Sequence, residues 1–346
     1  MKKYLGIICL VIIALTGCKK GSKIEQFVMP VSSGRPYEML VVIDKAMYER
    51  PAGQVLKEVL ISDVPGLPQP EPQFRISTCP PSGFDRTFKI FRNIIVVDVD
   101  EHRYTQTKLK YNRDVNSTPQ MILTIQSPSE SEFSDYVYNH GDQIINFFVR
   151  TELNREIVRL EKDHSNEVDL MANKMFGCNI WAPSDITAIK EGENFFWASS
   201  PTSNSLNLCM YSYPYTRSDI FTDEYFVQKR DSVMKRNIPG ERDSMWMATQ
   251  FYRGKYLVES KHIAVQNTFT QEVRGLWEMT KDNMGGPFIS HVRVDTVNHK
   301  VIVAEGFVYL PNKPKKRDLM RKLESSLYTL LLPGEKRATE EEQIEE

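Results

Sequence analysis

Short β-branched runs alternate along this chain with stretches in which apolar residues return every three or four positions, the signatures of strands and amphipathic helices. The run Glu38–Ile43 (EMLVVI) predicts a strand, and Val55, Leu56, Val59 and Leu60 give helical spacing to Gly53–Leu60. Val64–Pro72 then holds four prolines, which forbid a helix and favour an extended connector. Strands follow at 74–78, 94–99 and 120–126. Ser129 and Glu132 form a capping box after Pro128. Beyond it Ile145, Val149, Leu153, Ile157, Leu160, His164, Val168, Met171 and Met175 recur as one stripe. That stripe predicts a single helix over about 130–175, with Gly141 tolerated or kinking it at ~1 kcal/mol. Arg150, Glu152, Arg155, Glu156, Arg159, Glu161 and Lys162 fall on its outer face, which reads as solvated.

The second half repeats the order. Strands are expected at 194–197 and 206–213, and Thr222 caps a helix that stops before Pro239-Gly240. Further strands are expected at 245–251, 256–265, 272–279, 288–294 and 301–309, the last two joined through Asn298-His299. A closing helix spans about 314–332 on Leu319, Leu323, Leu327 and Leu330, and the acidic stretch 335–346 reads as a disordered tail. The pattern predicts an α+β fold of mostly antiparallel sheets with packed helices. It divides into units at 34–176 and 177–334, whose shared order of strand, helix, strands and helix fits either a duplication or a coincidence.

The first eighteen residues change the picture most. Met1-Lys2-Lys3, the apolar run Leu5–Leu15 and Leu15-Thr16-Gly17-Cys18 read as a lipoprotein signal over residues 1–17. The apolar run is too short to span a bilayer, which takes ~20 residues, whereas acylation of Cys18 by two or more chains anchors stably. Lys19-Lys20-Gly21-Ser22-Lys23 opens a basic tether over 18–33; with no acidic residue beside Cys18, it points to the periplasmic side of the outer membrane. The whole chain carries a formal charge of −1, and losing Lys2 and Lys3 makes it −3, so nucleic acid is not an expected partner. The bilayer and an envelope protein or glycan are. Cys79, Cys178 and Cys209 remain in the folded part with no metal-type spacing; they read as buried apolar thiols, with Cys178–Cys209 the best disulfide candidate.

Candidate chemistry is sparse. Glu161 and His164 sit three apart on a helix, a spacing that serves metal ligands in bundles, but His164 continues the apolar stripe. Ser290, His291 and Asp295 share one strand, where Ser290 must face away from the other two, so no triad is expected. Met284-Gly285-Gly286-Pro287-Phe288 lacks the lysine of a phosphate loop and reads as a turn. No cofactor or metal is expected. Lys315, Lys316 and Arg317 crowd the start of the closing helix, where positive charge opposes the dipole, and make a candidate contact for an anionic surface. Trp181, Trp197, Trp246 and Trp277 concentrate aromatics in the second half. Tyr211, Tyr213 and Tyr215, held to a strand edge or end by Pro214, are the candidate ligand or partner surface.

Ser32–Glu38, Leu67–Pro72, Gly275-Leu276-Trp277 and Met284–Phe288 together resemble a family of uncharacterised Bacteroidota lipoproteins, domain of unknown function 4837, over nearly the whole mature chain. The resemblance implies an anchored envelope protein and carries over no catalytic or binding residue. Two functions are therefore expected to compete. One is a non-enzymatic binding or assembly factor presenting the aromatic second half or the proline-rich connector to a partner. The other is a hydrolase of envelope glycan or peptide, which would need a cleft lined by two carboxylates or by a histidine and a carboxylate.

Overall fold

The structure is a computed structural model that describes residues 29–201, 206–311 and 315–337. Cys18 and the start of the tether lie outside the described residues, as does the tail beyond 337. No helix among the described residues is long and apolar enough to cross a membrane.

The first half comprises β1 (Glu38–Val42), α1 (Lys45–Glu49), α2 (Pro51–Leu60), β2 (Arg75–Cys79), α3 (Arg86–Lys89), β3 (Asn93–Val99), β4 (Lys108–Arg113), β5 (Met121–Ser127), α4 (Glu130–Asn139) and α5 (Gly141–Lys162). Its sheet runs β2-β1-β3-β5-β4, parallel except for β4 at the edge. The parallel pairing follows from strands that are apolar on both faces. Met39, Val41, Ile95, Leu123 and Ile125 pack under α2, α4 and α5, while Leu40, Val42, Ile94 and Ile122 fill a smaller layer on the other side.

The expected single helix over 130–175 is three. Ser129 caps α4 through the N–H of Glu132 (3.2 Å). The chain breaks at His140 and again at Asp163–Ser165, and α6 (Asn166–Phe176) follows. Gly141 is required rather than tolerated, because a Cβ there would lie 2.9 Å from Val59 Cγ2 of α2. Nor is the charged face of α5 simply solvated. Glu152 is buried and accepts from Arg92, Asn93 and Arg155 (2.6–2.9 Å).

The second half continues with β6 (Ala188–Gly192), β7 (Phe195–Ser199), β8 (Leu206–Pro214), α7 (Asp223–Asn237), β9 (Met247–Thr249), β10 (Phe251–Tyr252), β11 (Lys255–Tyr256), β12 (Val258–Val265), β13 (Thr268–Met279), β14 (Gly285–Asp295), β15 (Lys300–Val308) and α8 (Lys316–Tyr328). An antiparallel sheet, β12-β13-β14-β15-β8-β7 with β6 at its edge, forms a middle layer. Strict alternation sends Leu208, Met210, Ile289, Ile302 and Ala304 toward α6 and α8, and Cys209, Tyr211, Val292, Val303 and Phe307 toward α7. The molecule is thus α+β, with antiparallel pairing predominant. The two halves share an order of elements but not a pattern of pairing.

Several expectations change at the seam between the halves. Glu71, in the proline-rich connector, accepts from the backbone N–H groups of Lys315 (3.1 Å), Lys316 (2.7 Å) and Arg317 (3.2 Å), and so supplies the negative charge that the N-terminus of α8 calls for. Lys316 Nζ donates to Gln69 (2.8 Å) and Arg317 to the Pro72 carbonyl (2.6 Å). Lys316 and Arg317 are therefore buried internal struts and only Lys315 is exposed, which removes the basic cluster as an anionic-surface contact. The connector is likewise a structural brace. Glu335 bonds Arg293 (2.6 Å) and the N–H of Leu332 (2.8 Å), and Arg337 lies over Trp181 at 3.5 Å, so the described start of the tail is packed.

Candidate functional site

Most residues with reactive chemistry are sealed within the second half. On the α8 face of its sheet, Arg274 bonds Glu272 (2.8 Å) and Glu324 (2.6 Å), and Glu324 bonds Arg321 (2.8 Å). Burial pushes the Glu324 carboxyl up, but Arg274 and Arg321 overcome it and hold the group below the usual carboxylate range. Burial pushes Glu272 up as well, but Arg274, His291 and Lys261 together outweigh it and hold the carboxyl well below that range. His291, paired across the strands with Glu272, approaches it at 3.5 Å without a hydrogen bond, and both side chains are about fully buried. On the α7 face, fully buried Arg230 forks onto Glu305 (2.7–3.1 Å), which also accepts from Ser290 (2.8 Å). Ser290 and His291 thus face opposite layers, as strand alternation requires, and Asp295 caps the β14–β15 turn through Val297 (3.0 Å) and Asn298 (3.1 Å).

The remaining expected positions are accounted for by packing. His164 Nδ1 lies 2.8 Å from the Leu160 carbonyl and its ring stacks on Trp181, while Glu161 is exposed. Among the described residues, no group of three His, Cys, Asp or Glu could hold a metal ion. Cys178 and Cys209 are free and buried on opposite faces of the sheet, which excludes the disulfide; Cys79 is also free and buried. Desolvation pushes the Cys178 thiol up to about 12 and Cys209 well above its ordinary value, so neither is a ready nucleophile. Tyr211 is buried with a hydroxyl that has no partner among the described residues, Tyr213 packs between Tyr211 and Tyr225, and only Tyr215 is exposed. The three tyrosines do not form one surface.

An open cleft of about 580 Å³ lies instead at the end of the sheet where β13 and β15 stop and β14 begins. Trp197, Trp277, Phe307 and Tyr309 supply its rings, with Phe307 between the two indoles at 6.3 and 5.8 Å. Met245, Met247, Met279 and Met284 complete the wall; β9 brings Met247 opposite Met279. Gly286 permits this geometry, because a Cβ there would lie 2.1 Å from the Val308 carbonyl, to which Trp277 Nε1 donates at 3.3 Å. Trp197 Nε1 donates to Asn207 (3.0 Å). With both indole N–H groups satisfied inside the protein, the cleft offers the half-buried Trp197, Tyr309 and Met284 at its mouth, over buried Trp277, Phe307, Met245, Met247 and Met279. Lys190, Glu241 and Asp282 give its rim both signs of charge. Aromatic enrichment in the sequence pointed to this half, but the methionines come from three separate segments whose convergence only the fold reveals. Trp181 and Trp246 are not part of it.

Residues 163–329 match Domain of unknown function (DUF4837), and residues 32–161 match Domain of unknown function (DUF8532). The resemblance drawn from Ser32–Glu38 and Leu67–Pro72 therefore falls in the second of these, and the likeness to DUF4837 covers the second half rather than the whole chain. No curated protein matches. A crystal structure from Bacteroides thetaiotaomicron VPI-5482 is 11% identical over 47% of this chain and 46% of that one, at a TM-score of 0.24, so the chain spans less than half of that protein. The second half of the chain thus matches the DUF4837 family of unknown function, behind a match to DUF8532 in the first half.

Proposed function

We propose that this chain is a non-enzymatic binding or assembly factor of the cell envelope. It is anchored through acylated Cys18 on the periplasmic side of the outer membrane, and its cleft grips apolar side chains of a partner polypeptide. The cleft carries the reading: it is open, sized like a ligand site, walled by four thioethers and four rings, and rimmed by charges of both signs that suit a peptide backbone and its polar neighbours. Methionine walls adapt to varied apolar anchors. The hydrolase alternative would rest on Glu272 and His291, but that pair faces α8 and Tyr328 rather than a cavity.

Titration of the full chain in non-ionic detergent with tripeptides centred on Phe, Leu or Ser tests the site through tryptophan fluorescence. The Phe and Leu peptides should shift the emission and the Ser peptide should not, and Met284→Glu should abolish the response. Identical responses to all three would contradict the reading. Cys18→Ser should move the protein from the membrane to the soluble fraction; retention in the membrane would refute the anchor.

A further inference from the structure

A second cavity, of about 540 Å³, lies in the first half between α5 and the edge formed by β4 and β5. Its wall on α5 carries Gln143, Asn146, Arg150 and Asn154, spaced by three and four residues and therefore on one helical face. None of these four side chains makes a hydrogen bond or ion pair with any described residue. The polar groups around them are engaged. Arg155 donates to Glu152 (2.7 Å), Asn93 (2.8 Å) and the Arg92 carbonyl (3.1 Å). Gln120 Nε2 donates to two carbonyls (2.6 and 2.8 Å), and Asp114 accepts from the Gln120 N–H (2.6 Å). The cavity thus combines an internally bonded floor with four solvent-accessible groups that bond to no described residue.

The charge on that lining is lopsided. Arg150 and Arg155 face one carboxylate of the lining, Asp114, and the Glu152 carboxylate beneath Arg155 is already shared with Arg92. A groove with surplus guanidinium charge attracts oxyanions, and guanidinium matches carboxylate or phosphate in a forked geometry. Asn and Gln amides each donate and accept, which suits hydroxyl groups. Phe147, tilted against Tyr111 at 5.6 Å, adds a ring on the same wall.

We propose that this cavity binds a small polyhydroxylated ligand bearing a carboxylate or a phosphate, an acidic or phosphorylated sugar. Arg150 takes the oxyanion, and Asn146, Asn154 and Gln143 take the hydroxyls. The site is independent of the apolar cleft in the other half.

Calorimetric titration of the full chain in non-ionic detergent with glucuronate, glucose 6-phosphate, inorganic phosphate and glucose tests the assignment. At least one acidic sugar should bind, about tenfold or more tighter than glucose and than inorganic phosphate, since a charge-assisted fork and the hydroxyl contacts each contribute about that factor. The preferred acidic sugar identifies whether carboxylate or phosphate is the natural group. Arg150→Gln should weaken it by about tenfold or more with an unchanged melting temperature. Asn146→Asp, which adds a carboxylate to the wall without removing a bond, should weaken it as well. Absence of binding by both acidic sugars, equal affinity for glucose or for inorganic phosphate, or unaltered affinity in both variants would overturn the proposal.

Discussion

Two cavities of nearly equal size, about 540 and 580 Å³, sit in the two halves and have opposite chemistry. The cleft in the second half turns its indole N–H groups inward to protein acceptors and shows rings and thioethers. The cavity in the first half shows amides and a guanidinium that no described residue satisfies. What separates them from the rest of the molecule is completeness of bonding rather than content of reactive residues. The most heavily charged clusters, around Glu324 and Glu305, are closed and nearly self-satisfied, and they hold layers together.

The comparison assumes that both cavities belong to one cooperative body joined at α8, and the sharpest way to break it is to open that seam. Glu324→Ala leaves Arg274 and Arg321 buried without their shared carboxylate and should cost about 3–5 kcal/mol in denaturant unfolding, with a single transition retained. Two separate transitions would show that the halves fold apart. Acid probes the same buried cluster under α8. Glu272 and Glu324 have folded values below the unfolded value of ~4.3, so the stability they contribute is full above that pH and is lost as pH falls through the folded values, where the unfolded chain binds more protons. Stability should hold on the neutral side and decline steadily below about pH 4. A plateau reaching far into acid would remove these carboxylates from the account.

Smaller changes sharpen the contrast. Glu71→Ala removes the carboxylate from three N–H groups at the start of α8 and should cost about 1–2 kcal/mol, measurable as a lower unfolding midpoint with the same slope. Met284→Glu, at the half-buried lip of the cleft, should cost about 1 kcal/mol and leave sugar binding in the other half intact. Arg150→Gln should stay within about 0.5 kcal/mol of the parent, because the side chain bonds to no described residue.

Much of the architecture was legible in the chain. Ser129 and Thr222 cap the helices they were expected to cap, and the alternation along 288–294 correctly separates Ser290 from His291. Edge strands β4 and β6 escaped because KLKYNR and AIKEG carry polar side chains that an edge can leave in water. The long stripe through His164 hid the break at Asp163–Ser165, since buried Leu160 and Val168 flank it at helical spacing although α5 packs in the first core and α6 in the second. Lys316 and Arg317 looked like a surface because their partners, Gln69, Glu71 and Pro72, lie some 245 residues away in sequence. Arg150 looked like part of an ordinary solvated face, and Gln143, Asn146 and Asn154 gave no signal, for the converse reason: their chemistry becomes informative only once β4 and β5 wall them in.

The central claim is that the apolar cleft grips a polypeptide and the polar cavity does not. A photoreactive side chain placed at Met284 in one strain and at Asn146 in another, activated in intact cells, tests it most directly. The account predicts one discrete protein adduct from position 284, lost on Met245→Glu, and none from position 146. No adduct from position 284, or the same adduct from both positions, would contradict it.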